Sequence, residues 1–278
     1  MWDKIKLLLA AIIFTALYCK VTAEGTILKD MAPDSVDNQY KGCPQEALKK
    51  LIQSGLLQQE LRSNELFQKA WNASNHCTKL IPGGIKEHTA ALLAYINGDA
   101  QFISNFNNAV KTMGVNVSTY EDRFPFKSLH FLLMDSIKLL YPKKCKTLYL
   151  LSEEPYTTKQ GSNVRVGGFI KVDSNYEEVK SMEDLDGMVI FNITSCFFAN
   201  LGNNICSDEG TALLSPAEVF TVEYLNRTTN ANRDQYTEVV LKHSELDSSL
   251  NCFSRSPADV STQWLVLVLV ASSLFFFH

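Results

Sequence analysis

The run Ser128-Leu-His-Phe-Leu-Leu-Met-Asp-Ser-Ile-Lys-Leu-Leu140-Tyr141-Pro142, followed by Lys146-Thr-Leu-Tyr-Leu-Leu151, divides the chain into two kinds of structure. Its first thirteen residues are apolar almost all round, which predicts a buried helix, and Pro142 disfavours helical geometry at the residue before it. The second piece is short and predicts a strand. Upstream, Pro44 suits a first helical position, with Leu48, Leu51, Ile52, Leu56 and Leu57 following at helical spacing. Gly55 weakens the last turn of that helix. Glu87 to Ile96 predicts another helix, and Phe102, Ile103, Phe106, Ala109, Val110 and Met113 mark one face of a third. Pro82-Gly83 and Asn97-Gly98 punctuate them. Downstream, Asn163–Val172, Met188–Thr194, Glu218–Tyr224 and Tyr236–His243 are short and rich in β-branched or aromatic residues. Helices first and strands afterwards predict an α+β fold, with a mainly helical lobe over 24–142 and a β-rich lobe over 143–252.

The two ends of the 278 residues read as addresses rather than as fold. Leu7 to Tyr18 is an apolar or neutral run preceded by Lys4 and Lys6 and followed by Val21-Thr22-Ala23, the pattern of a secretory signal peptide over residues 1–23. Trp264 to Phe277 would span about 21 Å as a helix, short of the roughly 30 Å hydrocarbon core. A small-residue cluster, a polar spacer and this tail match a glycolipid-anchor signal over 255–278, with Ser254 or Ser256 as the attachment residue. The expectation is a protein on the extracellular face of the plasma membrane, tethered by that lipid. Between the ends stand 22 basic and 28 acidic residues, a net charge of −6 that argues against a general nucleic-acid binder.

Once Cys19 leaves with the signal peptide, six cysteines remain: Cys43, Cys77, Cys145, Cys196, Cys206 and Cys252. An even count in a secreted chain predicts three disulfides, and number alone leaves their connectivity open. No C-x-x-C spacing or histidine pattern suggests zinc. Sequons stand at Asn72, Asn116, Asn192 and Asn226. Asn192 conflicts with glycosylation because it falls inside a predicted strand.

Several familiar chemistries lack their residues. Gly161 to Gly168 has neither the Lys-Ser/Thr ending of a P-loop nor a helix after it, and there is no G-x-S-x-G elbow. His88, His130 and His243 are isolated on predicted helices or strands and read as packed or surface histidines. Glu153 and Glu154 read as a solvated turn.

Five segments, in order, resemble the vertebrate glycolipid-anchored ecto-ADP-ribosyltransferases, which move ADP-ribose from NAD to protein arginine. They are Asp37-Asn-Gln-Tyr40-Lys-Gly-Cys43, like D-x-Q-Y-x-G-C; Phe124-x-Phe126-Lys127-Ser128-Leu129-His130-Phe131, like F-x-F-K-x-L-H-x-Y; and Gly161-Ser-Asn-Val164-Arg165-Val166-Gly167-Gly168-Phe169, like G-x-x-V/I-R-F-G-Q-F. Phe191-Asn-Ile-Thr194-Ser-Cys196 follows F-T-I-x-T-C, and Leu213-Leu-Ser215-Pro216-Ala-Glu218-Val-Phe220 follows L-I-P-P-x-E-V-F. The resemblance implies a helical lobe packed on a mixed β core with an NAD cleft. It also implies Cys43–Cys252 and Cys145–Cys196 bridges, which leave Cys77–Cys206 as the remaining pair.

The same alignment exposes a departure. Active members carry an Arg after the Tyr of the first core strand, a Ser just after the G-x-F segment and a Glu-x-Glu before L-I-P-P. Here those places hold Leu150, Lys171 and, for the second Glu, Thr211; only the first Glu survives, as Glu209. In the family the second Glu stabilises positive charge as the glycosidic bond loosens, the Arg holds phosphate and the first Glu engages the incoming guanidinium. A leucine cannot pair with phosphate, and a neutral threonine cannot supply the negative charge. The resemblance leaves Arg165, Lys171 and Glu209 as candidate contacts for NAD, which is the family's substrate and not a resident cofactor. The expectation is weak or absent transfer and a surface recognition role toward cell-surface or extracellular proteins. The alternative is an active transferase or NAD glycohydrolase using Glu209 in a shifted register, which needs a two-residue bulge before Ala212.

Overall fold

The computed structural model describes residues 29–153, 158–181, 184–230, 233–248, 250 and 252. Both terminal address segments, the attachment serines and Glu154 lie outside these residues. The helical lobe comprises α1 (Pro44–Leu48), which continues into a π-helical turn (Lys49–Gln53), then α2 (Leu56–Ser63), α3 (Glu65–Ala73) and α4 (Lys86–Ile96). It is completed by α5 (Ala100–Thr112), α6 (Val117–Arg123) and α7 (Lys127–Leu140). The starts are chemically marked. Pro44 occupies the first turn of α1, and Asn64, Asp99 and Asn116 accept N–H bonds at the heads of α3, α5 and α6. The predicted helix through Leu57 is broken because Gly55 adopts φ +89°, a left-handed conformation that a side chain resists.

The β lobe contains β2 (Lys146–Ser152), β3 (Asn163–Arg165), β4 (Ile170–Asp173), β5 (Val189–Ser195), β6 (Phe198–Asn200), β7 (Thr211–Leu214), β8 (Glu218–Thr229) and β9 (Gln235–Leu246). A short β1 (Lys29–Asp30) adds to β3, and α8 (Tyr176–Lys180) follows β4. The strand order is β1-β3-β8-β9-β5-β2-β4-β7-β6, parallel at β5–β9 and antiparallel elsewhere. The fold is therefore α+β. The single strand predicted over 163–172 is two strands, because Gly167 turns at φ +72° and sends β3 and β4 to separate partners.

β2 meets β4 only at Tyr149↔Asp173, so the sheet is two strips hinged at one residue pair. Leu148, Phe191, Val239 and Leu241 of one strip share an apolar interior with Val172, Ala212, Leu214 and Phe198 of the other. The short strip's outer side, through Ala199 and Leu213, joins the helical core.

Phe169 is the joint between lobes. Its ring stacks on Phe106 at 5.7 Å among the buried aromatics of the helices. Its backbone pairs with one side chain as it would with a strand: its N–H donates to Asn107 Oδ1 at 3.1 Å, and its carbonyl accepts from Asn107 Nδ2 at 3.1 Å and from the Tyr95 hydroxyl. A Cβ at Gly168 would stand 2.9 Å from Asn107 Oδ1, so that glycine permits the approach.

Three disulfides close the structure: Cys43–Cys252, Cys77–Cys206 and Cys145–Cys196. The first links residues 209 apart and holds the two ends of the lobes together.

Beneath the helices the first two family-like motifs meet in one buried chain. Tyr120 bonds Tyr40 at 2.9 Å, Tyr40 bonds His130 Nδ1 at 3.1 Å, and His130 Nε2 bonds the Val36 carbonyl at 2.8 Å. Burial lowers the His130 pKa to about 4. A neutral ring that donates from Nε2 to a carbonyl must accept at Nδ1, so the Tyr40 hydroxyl donates there and Tyr120 donates to Tyr40. Beside this chain, the start of α7 lacks a side-chain cap of its own. Glu60 of α2 replaces it, accepting from the N–H groups of Lys127 at 2.9 Å and Ser128 at 3.0 Å. Burial raises the Glu60 pKa to about 7 against the pull of those donors.

These two groups oppose one another in pH. Glu60, raised from 4.5, contributes stability that is lost as pH rises from 4.5 to 7, whereas His130, lowered from 6.5, contributes stability that is lost as pH falls from 6.5 to 4. Each limb is worth about 3 kcal/mol, so together they flatten the wild-type curve across this window. Glu60→Gln removes one limb. Urea unfolding of the variant is expected to show stability falling by about 2–3 kcal/mol more steeply than wild type between pH 6.5 and 4.5. Parallel curves for the two proteins would contradict this assignment.

Candidate functional site

Strand register gathers positions that are scattered in sequence. Tyr149 of β2 pairs with Asp173 of β4, which pairs with Thr211 of β7. Leu150 is next to one end of that row, Thr211 is the other end, and Lys171 lies two residues along β4. Leu150, Lys171 and Thr211 thus fall on three neighbouring strands around the hinge between the strips. Each has a settled environment. Leu150 is partly buried against the apolar interior and pairs across to Phe191. Lys171 is exposed. Thr211 is 2% exposed, and its carbonyl accepts from the Leu201 N–H at 3.0 Å. The β4–β7 register runs unbroken from Asp173↔Thr211 to Ile170↔Leu214, without a bulge before Ala212.

At the end of this row lies a polar cavity of about 650 Å3, lined by Lys146, Ser174, Asn175, Glu178, Asn200 and Glu209, among others. Glu209 reaches it from the turn entering β7, where Gly210 adopts φ +92°. A Cβ at Gly210 would stand 3.0 Å from Asp173 Oδ1, whose oxygen already accepts from the Asn175 N–H at 2.6 Å. Asn175 in turn caps α8, accepting from the N–H groups of Glu177 and Glu178. Two carboxylates, one ammonium and several amides make a lining suited to cationic and hydrogen-bonding groups. Lys146, Asn175, Glu178 and Asn200 carry no sequence signal for this role. Antiparallel register alone brings the start of β2, the end of β4 and the end of β6 to one place.

Arg165 and Lys171 do not line this cavity. Arg165 is buried on β3, its Nη1 2.9 Å from Asp37 Oδ2 and its Nη2 3.1 Å from Asp247 Oδ2. Asp37 Oδ1 also accepts the Leu250 N–H at 3.1 Å, so the guanidinium helps to tie the segments around Asp37 and Asp247 to β3.

The last two family-like motifs also meet away from the cavity. Glu218, fully buried, accepts from Ser195 Oγ at 2.6 Å, from the N–H groups of Cys196 and Phe197, and from His243 Nδ1 at 2.8 Å. Burial raises its pKa while these donors pull it down. The cluster holds the β5–β6 turn next to the Cys145–Cys196 bridge. His88 is likewise engaged, at 3.1 Å from Asp135. Of the sequon asparagines, Asn72, Asn116 and Asn226 are exposed. Asn192 lies in β5 between β2 and β9, and its Nδ2 donates to Glu238 at 3.2 Å.

Residues 29–249 match the family described as ART: NAD:arginine ADP-ribosyltransferase, and the chain belongs to that family. It is 31% identical over 222 residues to ecto-ADP-ribosyltransferase 5 of Rattus norvegicus, covering 73% of this chain and 70% of that protein. It is 29% identical to GPI-linked NAD(P)(+)–arginine ADP-ribosyltransferase 1 of Mus musculus, with 77% and 70% covered. Among solved structures, the eukaryotic mono-ADP-ribosyltransferase ART2.2 superposes with a TM-score of 0.61 at 23% identity, over 81% of this chain and 98% of that one. A variant of ART2.2 in complex with NAD gives 0.62.

The ion pairs around Arg165 define a stability test. Arg165→Gln leaves Asp37 buried beside a neutral partner, and breaking a buried pair in this way costs about 3–5 kcal/mol. Chemical denaturation is expected to show a loss of that size. A change below about 1 kcal/mol would mean that the pair carries no structural weight.

Proposed function

We propose that this member of the arginine ADP-ribosyltransferase family transfers ADP-ribose weakly or not at all, and serves as a recognition protein on the extracellular face of the plasma membrane, held there by a glycolipid. The observation that carries the reading is Thr211, a neutral side chain at the start of β7 where the reaction needs a carboxylate. Leu150 adds to it, since the position that would hold phosphate packs instead against an apolar interior. Loss of one electrostatic contact of this kind costs about 10²–10³ in rate. Losses among groups that act together do not simply multiply. The signal peptide, the anchor signal and the GPI-linked relative support the location. The binding partners belong to the same surface.

A second reading rests on Glu209, the acidic residue that survives from the family's pair and reaches the cavity. The unbroken β4–β7 register does not supply the shift that would carry Glu209 to position 211. In this reading NAD therefore enters the site and Glu209 acts on it from its own place in the turn before β7, making the protein a transferase or NAD glycohydrolase.

Labelled NAD with an arginine-rich acceptor separates the two. The expected result is incorporation at least about 10²-fold below that of an intact family member. Robust labelling or NAD cleavage that vanishes on Glu209→Ala overturns the first reading. Restoring the row with Leu150→Arg, Lys171→Ser and Thr211→Glu together is expected to raise transfer by about 10² or more. A folded triple variant that still gives no thermal shift with millimolar NAD would place the defect in the shape of the cleft rather than in these three groups.

A further inference from the structure

The junction between the lobes carries a feature that the family chemistry does not use. Pro142-Lys143-Lys144-Cys145-Lys146-Thr147 connects the end of α7 to β2, and all three lysines are exposed. None of them makes an ion pair among the described residues. Three ammonium groups without an ion pair among the described residues, on at most about 10 Å of chain, concentrate positive charge on a protein whose formal charge is −4. The segment is also held in shape. Lys143 stands at φ +56°, Cys145 is bridged to Cys196, and Lys146 is already in β2. A fixed array of charges gives up less freedom on binding than a flexible tail does.

The segment follows closely on the end of α7. Lys138 lies in its last turn, and burial lowers its pKa, Asp135 raises it, and Lys41 is close enough to lower it again. On the other side Lys146 reaches the rim of the polar cavity, where Glu178 and Glu209 bound the basic surface. The pattern B-B-x-B, with flanking neutral residues and a rigid backbone, suits a linear polyanion whose negative groups repeat along its length.

We propose that the Lys143-Lys144-Cys145-Lys146 segment docks a sulfated glycosaminoglycan. This rests on the extracellular placement proposed above, because that is where such polymers occur. The same placement disfavours an anionic membrane as the partner, since phosphatidylserine and phosphoinositides are concentrated in the cytoplasmic leaflet. Binding of this kind would hold a lipid-tethered protein against pericellular polysaccharide, with the cavity at the edge of the contact.

Surface plasmon resonance of the purified protein on immobilised heparin tests this independently of where the protein resides in a cell. The expected result is saturable binding at 0.15 M salt that weakens steeply as salt rises. Lys143→Gln, Lys144→Gln and Lys146→Gln combined should weaken it by about tenfold or more, and the corresponding three arginine substitutions should retain it. Circular dichroism and thermal melting of the glutamine variant check that it is folded; if it is not, Lys143→Gln with Lys144→Gln, outside any strand, provides the same comparison. Absence of heparin binding by the wild type overturns the proposal. So does equal binding to desulfated heparin, a folded glutamine variant within twofold of wild type, or binding to phosphatidylserine vesicles without binding to heparin. Separately, failure to find the protein at the cell surface would remove the proposed location while leaving the heparin measurement intact.

Discussion

The placement of β4 against the helical lobe rests on Phe169. A helical bundle and a β sandwich share few backbone hydrogen bonds, so their relative placement rests on side chains. Asn107 solves this by acting as a one-residue strand, presenting an acceptor to the Phe169 N–H and a donor to its carbonyl. The Phe169 ring then enters the helical core, and the next residue begins β4. Because β4 touches β2 at one residue pair, its position sets the hinge and with it the row from Tyr149 to Thr211. Gly167 and Gly168 belong to this joint, one for its turn and the other for the space it leaves to Asn107.

A helix buried on one side announces itself through a period, so α5 was legible from its apolar spacing, and α7 from a run that is apolar almost all round. α3 and α6 are short and half-exposed, and what defines them is a capping asparagine before an irregular pattern. Strands were legible where β-branched residues cluster, as in β5 and β9. β7 was not, because all four of its residues are buried and four residues offer no alternation to read. The candidate site was legible only through family resemblance. Glu209 could be aligned, but Lys146, Glu178 and Asn200 reach the same cavity by tertiary register, which no local pattern encodes.

The motifs that carry the resemblance turn out to serve mostly as scaffold. Tyr40 and His130, from two of them, form one buried hydrogen-bonded chain. Asp37 and Arg165, from the first and third, form a buried ion pair. Ser195, Cys196 and Glu218, from the last two, form another buried cluster. Such groups can be changed only together, since removing one leaves its partner buried and unsatisfied. A chain can therefore keep the signature of the family through its packing while the cleft changes independently.

The physics of the cleft favours that separation. An arginine at position 150 would have to stand half-buried against Phe191 and the sandwich interior, and a leucine there gains apolar contact instead of losing hydration. A carboxylate at position 211 would enter a nearly closed environment on the strand position paired with Asp173, adding desolvation to like-charge repulsion, whereas a threonine avoids both. Catalytic groups are commonly held against the preference of their surroundings, at a cost in stability. Where transfer is not required, apolar or neutral side chains at these two positions are favoured by the fold itself. On the reading proposed above, Leu150 and Thr211 are side chains that the packing itself favours, and the polar cavity beside them is lined by groups that the apolar interiors do not take up.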